Sequence, residues 1–195
     1  MPSIIRAETG DRRVLRTRRA LRLAFVSLLA ERGWDGVSVR AVCERADVGR
    51  STFYMHFEGK EDLLEGGLDD LARELRRQVP QDGAGDTALL PFARGLIEHV
   101  RDQRRLFRSI VGRRSGHIVQ MRFRAMVRDL VAEDLARHAG PSWQRDAAAH
   151  YVAGALVELL AWWMEGRRSA TTDEIEDLLR ELTLPAVAAL RRIKS

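Results

Sequence analysis

The chain has 195 residues, 45% of them apolar and 31% charged, with 15 glycines, 5 prolines and one cysteine. That length buries a core without disulfides or metal, and the composition excludes a disordered tail or a fibrous repeat. The longest nearly apolar run, 151–164, is interrupted by Gly154 and Glu158 and falls short of the roughly 20 residues that cross a bilayer. The first 13 residues lack the apolar core of a secretion signal, so a cytoplasmic protein with no membrane partner is expected. Charge divides unevenly: residues 1–60 hold 12 Lys and Arg against 7 Asp and Glu, whereas 61–195 hold 21 of each. A basic module that binds a polyanion, joined to a neutral one with another task, fits that split; so does a solvated surface.

Helical periodicity runs through nearly every segment and period-2 alternation is absent, which predicts an all-α protein. Leu21, Ala24, Phe25, Leu28 and Leu29 form one stripe on a helix over 13–32, which Gly33 ends as a C′ residue. Ser38 caps a short second helix striped by Val39, Val42, Cys43 and Ala46, and Asp47-Val48-Gly49 breaks it. A third helix of about two turns starts at Arg50 and carries Phe53 and Phe57 four apart.

After Lys60 the stripe Leu64, Leu68, Leu71, Leu75 and Val79 marks a fourth helix, ended by Pro80 and a loop over 81–85. Leu89, Ala93, Leu96, Ile97 and Val100 mark the next, Phe107, Ile110 and Val111 extend or follow it, and 112–116 closes that stretch. Phe123, Met126, Val127, Leu130 and Val131 mark another, ended near Gly140-Pro141. The segment 147–164 is apolar around almost its whole circumference, so it must be buried on two sides, one facing its own domain and the other a second subunit. Thr171 and Glu174 make a capping box that opens a last helix striped by Ile175, Leu178, Leu179, Leu182, Ala186, Ala189 and Ile193, which Pro185 should kink or split. The 147–164 and 173–193 helices are expected to build a homodimer contact.

Two short helices around a tight turn over 38–57 have the helix-turn-helix layout. With Phe53 and Phe57 turned to the core, the other face of the second of these helices presents Arg50, Ser51, Thr52, Tyr54 and His56, side chains that reach base edges and phosphates in a major groove. Cys43 lies on an apolar stripe and reads as a small buried hydrophobe. His99, His117, His138 and His150 lack metal-ligand spacing, so neither metal nor cofactor is expected. There is no Gly-rich phosphate loop and no Gly-x-Ser-x-Gly elbow to support catalysis.

The ordered series Thr17-Arg18, Ala24 to Leu28, Gly33-Trp34, Val37 to Arg40, Ala46 to Gly49, Ser51 to Phe57 and Lys60 to Leu63 closely resembles the N-terminal DNA-binding domain of the TetR/AcrR family of transcriptional regulators. Two positions depart from the family pattern: Asp47 stands where its turn often has glycine, and Gly49 where serine is common. The resemblance implies a three-helix helix-turn-helix domain over 1–60 and a helical effector-binding and dimerisation domain over 61–195, about nine helices in all. It implies base reading by Arg50, Ser51 and Thr52, and phosphate contacts by Arg40, Tyr54, His56 and Lys60. It further implies a homodimer on a palindromic double-stranded DNA operator, most often acting as a repressor, and a small-molecule effector. The resemblance implies an effector pocket, which the stripes would line with Leu96, Val100, Phe123, Met126, Val127, Leu159 and Trp162 for a largely apolar ligand, with His99 or Arg122 as a polar anchor. Nine arginines crowd 101–128, either as a solvated or DNA-facing surface or with Arg122 turned inward to an anionic effector. Two other classes stay open: a helical enzyme using the C-terminal cavity, and a protein coating nucleic acid or membrane without sequence preference.

Overall fold

The apolar stripes become nine α-helices, with no strand among the described residues. The structure, a computed structural model, describes residues 3–78, 90–111, 117–138, 143–166 and 170–192, without the side chains of 3–11, 110, 111, 138 and 188–192. The loop over 81–85, the breaks at 112–116 and Gly140-Pro141, residues Val79, Pro80, Leu89, Arg113, Arg114 and Ile193, and the side chains of Ile110, Val111, His138 and Ala189 lie outside that description.

Helix α1 (Ser3–Arg32) begins well before the expected residue 13. Its N-terminal part has no stripe to bury, so periodicity gives no signal there. Its later half buries Leu21, Ala24, Phe25, Leu28 and Leu29. Gly33 ends it with φ 69°, a conformation that costs glycine little, and donates to the Leu29 carbonyl at 3.0 Å. Helix α2 (Val39–Ala46) is capped by Ser38, whose hydroxyl accepts from the Ala41 N–H at 3.2 Å. Asp47 takes φ 53°, ψ 47° and lets Val48 donate back to Cys43 at 3.0 Å, so the departure from glycine keeps the left-handed cap. Helix α3 (Arg50–Tyr54) is shorter than two turns, but helical bonding continues until the Phe57 N–H meets the Phe53 carbonyl at 3.0 Å.

Helix α4 (Lys60–Arg77) joins two cores. Its first turns add Leu63 and Leu64 to the core of α1–α3, which also takes Val119; its later turns add Ala72 and Leu75 to the second core, and Leu68 packs against both. That second core fills the space between α5 (Ala93–Asp102), α6 (Arg104–Val111), α7 (His117–His138), α8 (Trp143–Glu165) and α9 (Thr172–Arg192). Leu90, before α5, is buried at φ 56°, and its N–H donates at 2.9 Å to Asp134 of α7, a carboxylate only 1% exposed.

Helix α8 corrects one expectation. At 23 residues it is long and apolar enough to cross a membrane, because helical residues extend beyond the 151–164 run in both directions. Half of its apolar window is buried inside the fold, and it packs on α6, α7 and α9. Helix α9 opens with the expected capping box: the Thr171 N–H donates to Glu174 at 2.7 Å, and the Glu174 N–H to the Thr171 hydroxyl at 3.2 Å. It runs unsplit through Pro185. The carbonyl that Pro185 leaves without a partner belongs to exposed Glu181, where water can serve it.

Candidate nucleic-acid interface

The geometry of the site starts with what holds α2 and α3 in place. Arg45 on α2 reaches across to α1, donating to the Ser27 hydroxyl at 2.8 Å and to both oxygens of Glu31 at 2.6 and 2.8 Å. That hydrogen-bonded guanidinium holds the Glu31 carboxyl below its ordinary value. From α3, Phe53 and Phe57 sink into the first core, and Phe53 meets the Tyr54 ring edge-on at 5.3 Å. The Arg18 guanidinium lies 5.2 Å from the Phe57 ring centre, closing that core from α1.

With both phenylalanines inside, Arg50, Ser51, Tyr54 and Met55 are exposed, while Thr52 and His56 are half-buried. Tyr54, the last residue of α3, is 60% exposed and Met55, its C-cap, 72%. Met55 is a contact candidate that reading for hydrogen-bonding side chains passes over; its place beside Tyr54, off the Phe53 face, is the signal that could have found it. Arg40 and Arg50 line one cleft of about 340 Å³ between α2 and α3, with Glu44 and Asp47 between them. In the free protein Arg40 pairs with Glu44 at 2.7 Å. Both are well exposed, and solvent screening leaves such a pair little barrier to a phosphate taking its place. Burial pushes the Cys43 thiol up, in keeping with a small core residue.

Lys60 is placed differently from the free phosphate ligand of the sequence reading. Its ammonium donates to the carbonyls of Trp34 at 3.1 Å and Val37 at 3.2 Å and stands 4.3 Å from the Trp34 ring centre. Two of its three protons are held inside the domain, which leaves one for an anion.

The residues expected around an effector scatter. Leu96, Val100, Phe123 and Val127 are packed core, and Phe123 meets Phe107 edge-on at 5.3 Å. His99 is exposed on α5. Trp162, expected near the centre of the domain, is 56% exposed: with Trp163 turned into the core, its neighbour 100° round the helix faces out. Arg122 and Met126 do come together, lining a groove of about 290 Å³ between α4 and α7 with Leu68, Asp69 and Asp129. The arginines of 101–128 largely resolve into pairs: Arg101 with Asp102 and Thr172, Arg104 with the Met164 carbonyl, Arg122 with Glu65, Arg124 with Glu158 and Arg128 with Asp129.

Two family models match the sequence: bacterial regulatory proteins of the tetR family over residues 24–66, and a transcriptional regulator C-terminal region over 88–184. The chain belongs to the TetR family of transcriptional regulators. A TetR transcriptional regulator from Streptococcus agalactiae is similar throughout, with a TM-score of 0.67 at 26% identity over 91% of this chain and 98% of that one. NalD, the secondary repressor of the MexAB-OprM multidrug efflux pump in Pseudomonas aeruginosa, shares the fold at TM-score 0.65 and 20% identity, over 89% of this chain and 97% of its own. The uncharacterized HTH-type transcriptional regulator YxbF of Bacillus subtilis is 43% identical over 56 residues, 28% of this chain and 15% of that protein. The TetR-family assignment makes the protein a DNA-binding regulator and not an enzyme.

Proposed function

We propose that this TetR-family regulator is a ligand-responsive repressor that binds a palindromic operator as a homodimer in the cytoplasm. The observation that carries the reading is the exposed face of α3. Arg50, Ser51 and Tyr54 stand clear of a core that Phe53 and Phe57 pin in place. Arg50 suits a guanine edge, Thr52 a thymine methyl or a phosphate, and Tyr54, His56 and Arg40 the backbone. One such helix reads a half-site, so a two-fold operator calls for a second copy.

Support for that copy comes from α8 and α9. Ala147, Tyr151, Ala155 and Trp162 form an exposed stripe on α8, broken by Glu158, which pairs with Arg124, and Leu178 and Leu182 are exposed on α9. An apolar face of this kind is what an isologous contact covers. For the effector, the α4–α7 groove holds two of the residues singled out from the sequence, Arg122 and Met126, against the helix that links both cores. A ligand wedged there would turn α4 and change the spacing of the two recognition helices, lowering operator affinity by a coupling free energy.

Footprinting the DNA upstream of the protein's own gene tests the reading, followed by affinities for the protected site and for random DNA at one salt concentration. A two-fold protected site bound at least about 10³-fold more tightly than random DNA is expected. Equal affinities would leave a non-specific coating protein instead.

A further inference from the structure

The groove between α1 and α4 has a composition that DNA contact and dimerisation do not use. It measures about 600 Å³ and is lined from α1 by Leu15, Leu23 and Val26 interleaved with Arg18, Arg19 and Arg22, and from α4 by Arg73 and a single acid, Asp70. Asp70 is shared by Arg22 and Arg73, so the lining carries a surplus of three positive charges. The most enclosed of the four is Arg22. Its Nε is buried with no hydrogen-bond partner, and burial, then repulsion from Arg18 and Arg73, hold its pKa below the ordinary value. The helix opposite makes room for it: a Cβ on Gly66 would stand 2.9 Å from the Arg22 Nη2.

Asp70 alone serves two guanidiniums here, so a half-buried arginine with an unmade Nε–H bond among like charges can take a second anion. The DNA backbone is poorly placed to supply it. Asp70 and Arg73 lie 10 and 13 residues into α4 from Lys60, about 15–20 Å along the helix away from the turn that carries α3. Apolar side chains stand beside these arginines on α1, and Leu15 and Leu23 are 61% and 62% exposed. We propose that the α1–α4 groove is a binding site for a single-chain amphipathic carboxylate, its head on Arg22 and Arg73 and its tail along Leu15, Leu23 and Val26. The occupant would bridge α1 to α4 beside the Arg22–Asp70 pair and offset the repulsion among Arg18, Arg22 and Arg73. This site is separate from the α4–α7 groove and stands whether or not that groove takes an effector.

The test uses the full chain without DNA, so its failure leaves the operator-binding reading untouched. Dodecanoate below its micellar concentration is titrated by calorimetry beside dodecanol, which has the tail without the charge, and inorganic phosphate, which has the charge without the tail. Dodecanoate is expected to bind saturably at one site per chain, at least about tenfold more tightly than either control. Arg22→Met and Arg73→Met should each weaken it about tenfold or more, the loss of a charge-assisted hydrogen bond. Leu23→Glu, at an exposed position where folding is not at stake, should weaken it comparably by repelling the tail and head. Dodecanoate binding that ignores all three substitutions overturns the proposal. So does dodecanol binding as well as dodecanoate, or phosphate binding as well, which would mark a plain oxyanion site. A change of sedimenting mass on Leu23→Glu would give the groove to a second copy of the chain and also overturn it.

Discussion

The Lys60 ammonium sits 4.3 Å from the centre of the Trp34 ring and donates to that residue's carbonyl at 3.1 Å, 26 positions back in the chain. With its second bond to the Val37 carbonyl it ties the start of α4 to the connection between α1 and α2. Lys60→Met should lower the free energy of unfolding by about 1–3 kcal/mol, through two carbonyls left without a donor and a lost cation–π contact. Urea unfolding of the two proteins measures it. A variant as stable as the parent that binds DNA more weakly at every sequence, with a flatter salt dependence, would return Lys60 to the phosphate ligands.

Arg50 and Arg40 line one cleft but should behave differently. Arg50→Ala is expected to relax preference at one base position per half-site by about 1–3 kcal/mol, since a bidentate contact distinguishes guanine. Arg40→Ala should weaken all sequences alike and reduce the salt slope by about one unit, the signature of a phosphate contact. Binding to a panel of single-base operator variants at several salt concentrations separates the two. Uniform loss from Arg50→Ala would move it among the phosphate binders.

Legibility in the sequence followed the range of the interaction. Ser38, Gly33, Asp47 and the Thr171–Glu174 box act within four residues of themselves, and each is where local rules put it. The stripes of α1 and α7 give burial correctly because a helical face is a local property. The internal bonds of Lys60 are not legible because its partners are 23 and 26 residues away; nothing nearby tells a lysine bound to carbonyls from one facing solvent. Phe123 and Val127 show the same limit for cavities. Periodicity says that a side chain is inside, not whether its neighbour is another side chain or a ligand. The α1–α4 groove was equally hidden, since it needs arginines from one helix and a glycine from another to meet.

Asp134 shows what a buried acid does for a strained backbone. It accepts the N–H of Leu90, which is held at φ 56°, and also pairs with Arg137 at the surface. Asp134→Ala should cost about 1–3 kcal/mol, because a buried amide loses its acceptor where the chain already carries strain. Asp134→Asn keeps an oxygen for that amide and should recover much of the loss. Equal destabilisation by both would assign the effect to the Arg137 pair.

The Glu31–Arg45 contact gives a pH dependence with a fixed sign. Arg45's hydrogen bonds hold the Glu31 carboxyl below its ordinary value of 4.5 in the folded state. A depressed acid contributes stability that is fully present above the unfolded value and is lost as pH falls through the folded one. The stability gap between the parent and Glu31→Gln should therefore be full at neutral pH and close as the pH drops below 4.5. Urea midpoints of the two proteins at a series of pH values follow it; a gap that keeps its size in acid would mean that the pair holds α2 through geometry alone.

The dimer prediction rests on what α8 and α9 leave uncovered. Trp162 is 56% and Leu182 65% exposed, and Tyr151 and Ala155 continue the stripe along α8. Side chains of this size cost about 1.5–3 kcal/mol each when left in water instead of buried, and a two-fold contact places each stripe against its own copy. Sedimentation at micromolar concentration should give about twice the 22.1 kDa chain mass. Trp162→Glu and Leu182→Glu each set like charges against one another across the axis, so each should shift the protein towards monomer. Neither should change its helical content, because both positions are exposed within a single chain. The monomeric variant should also lose affinity for a two-half-site operator while keeping that for an isolated half-site. A parent protein that sediments as a monomer, or variants that remain dimeric, would place the two-fold contact elsewhere, and the spacing of the recognition helices would have to be set by the DNA.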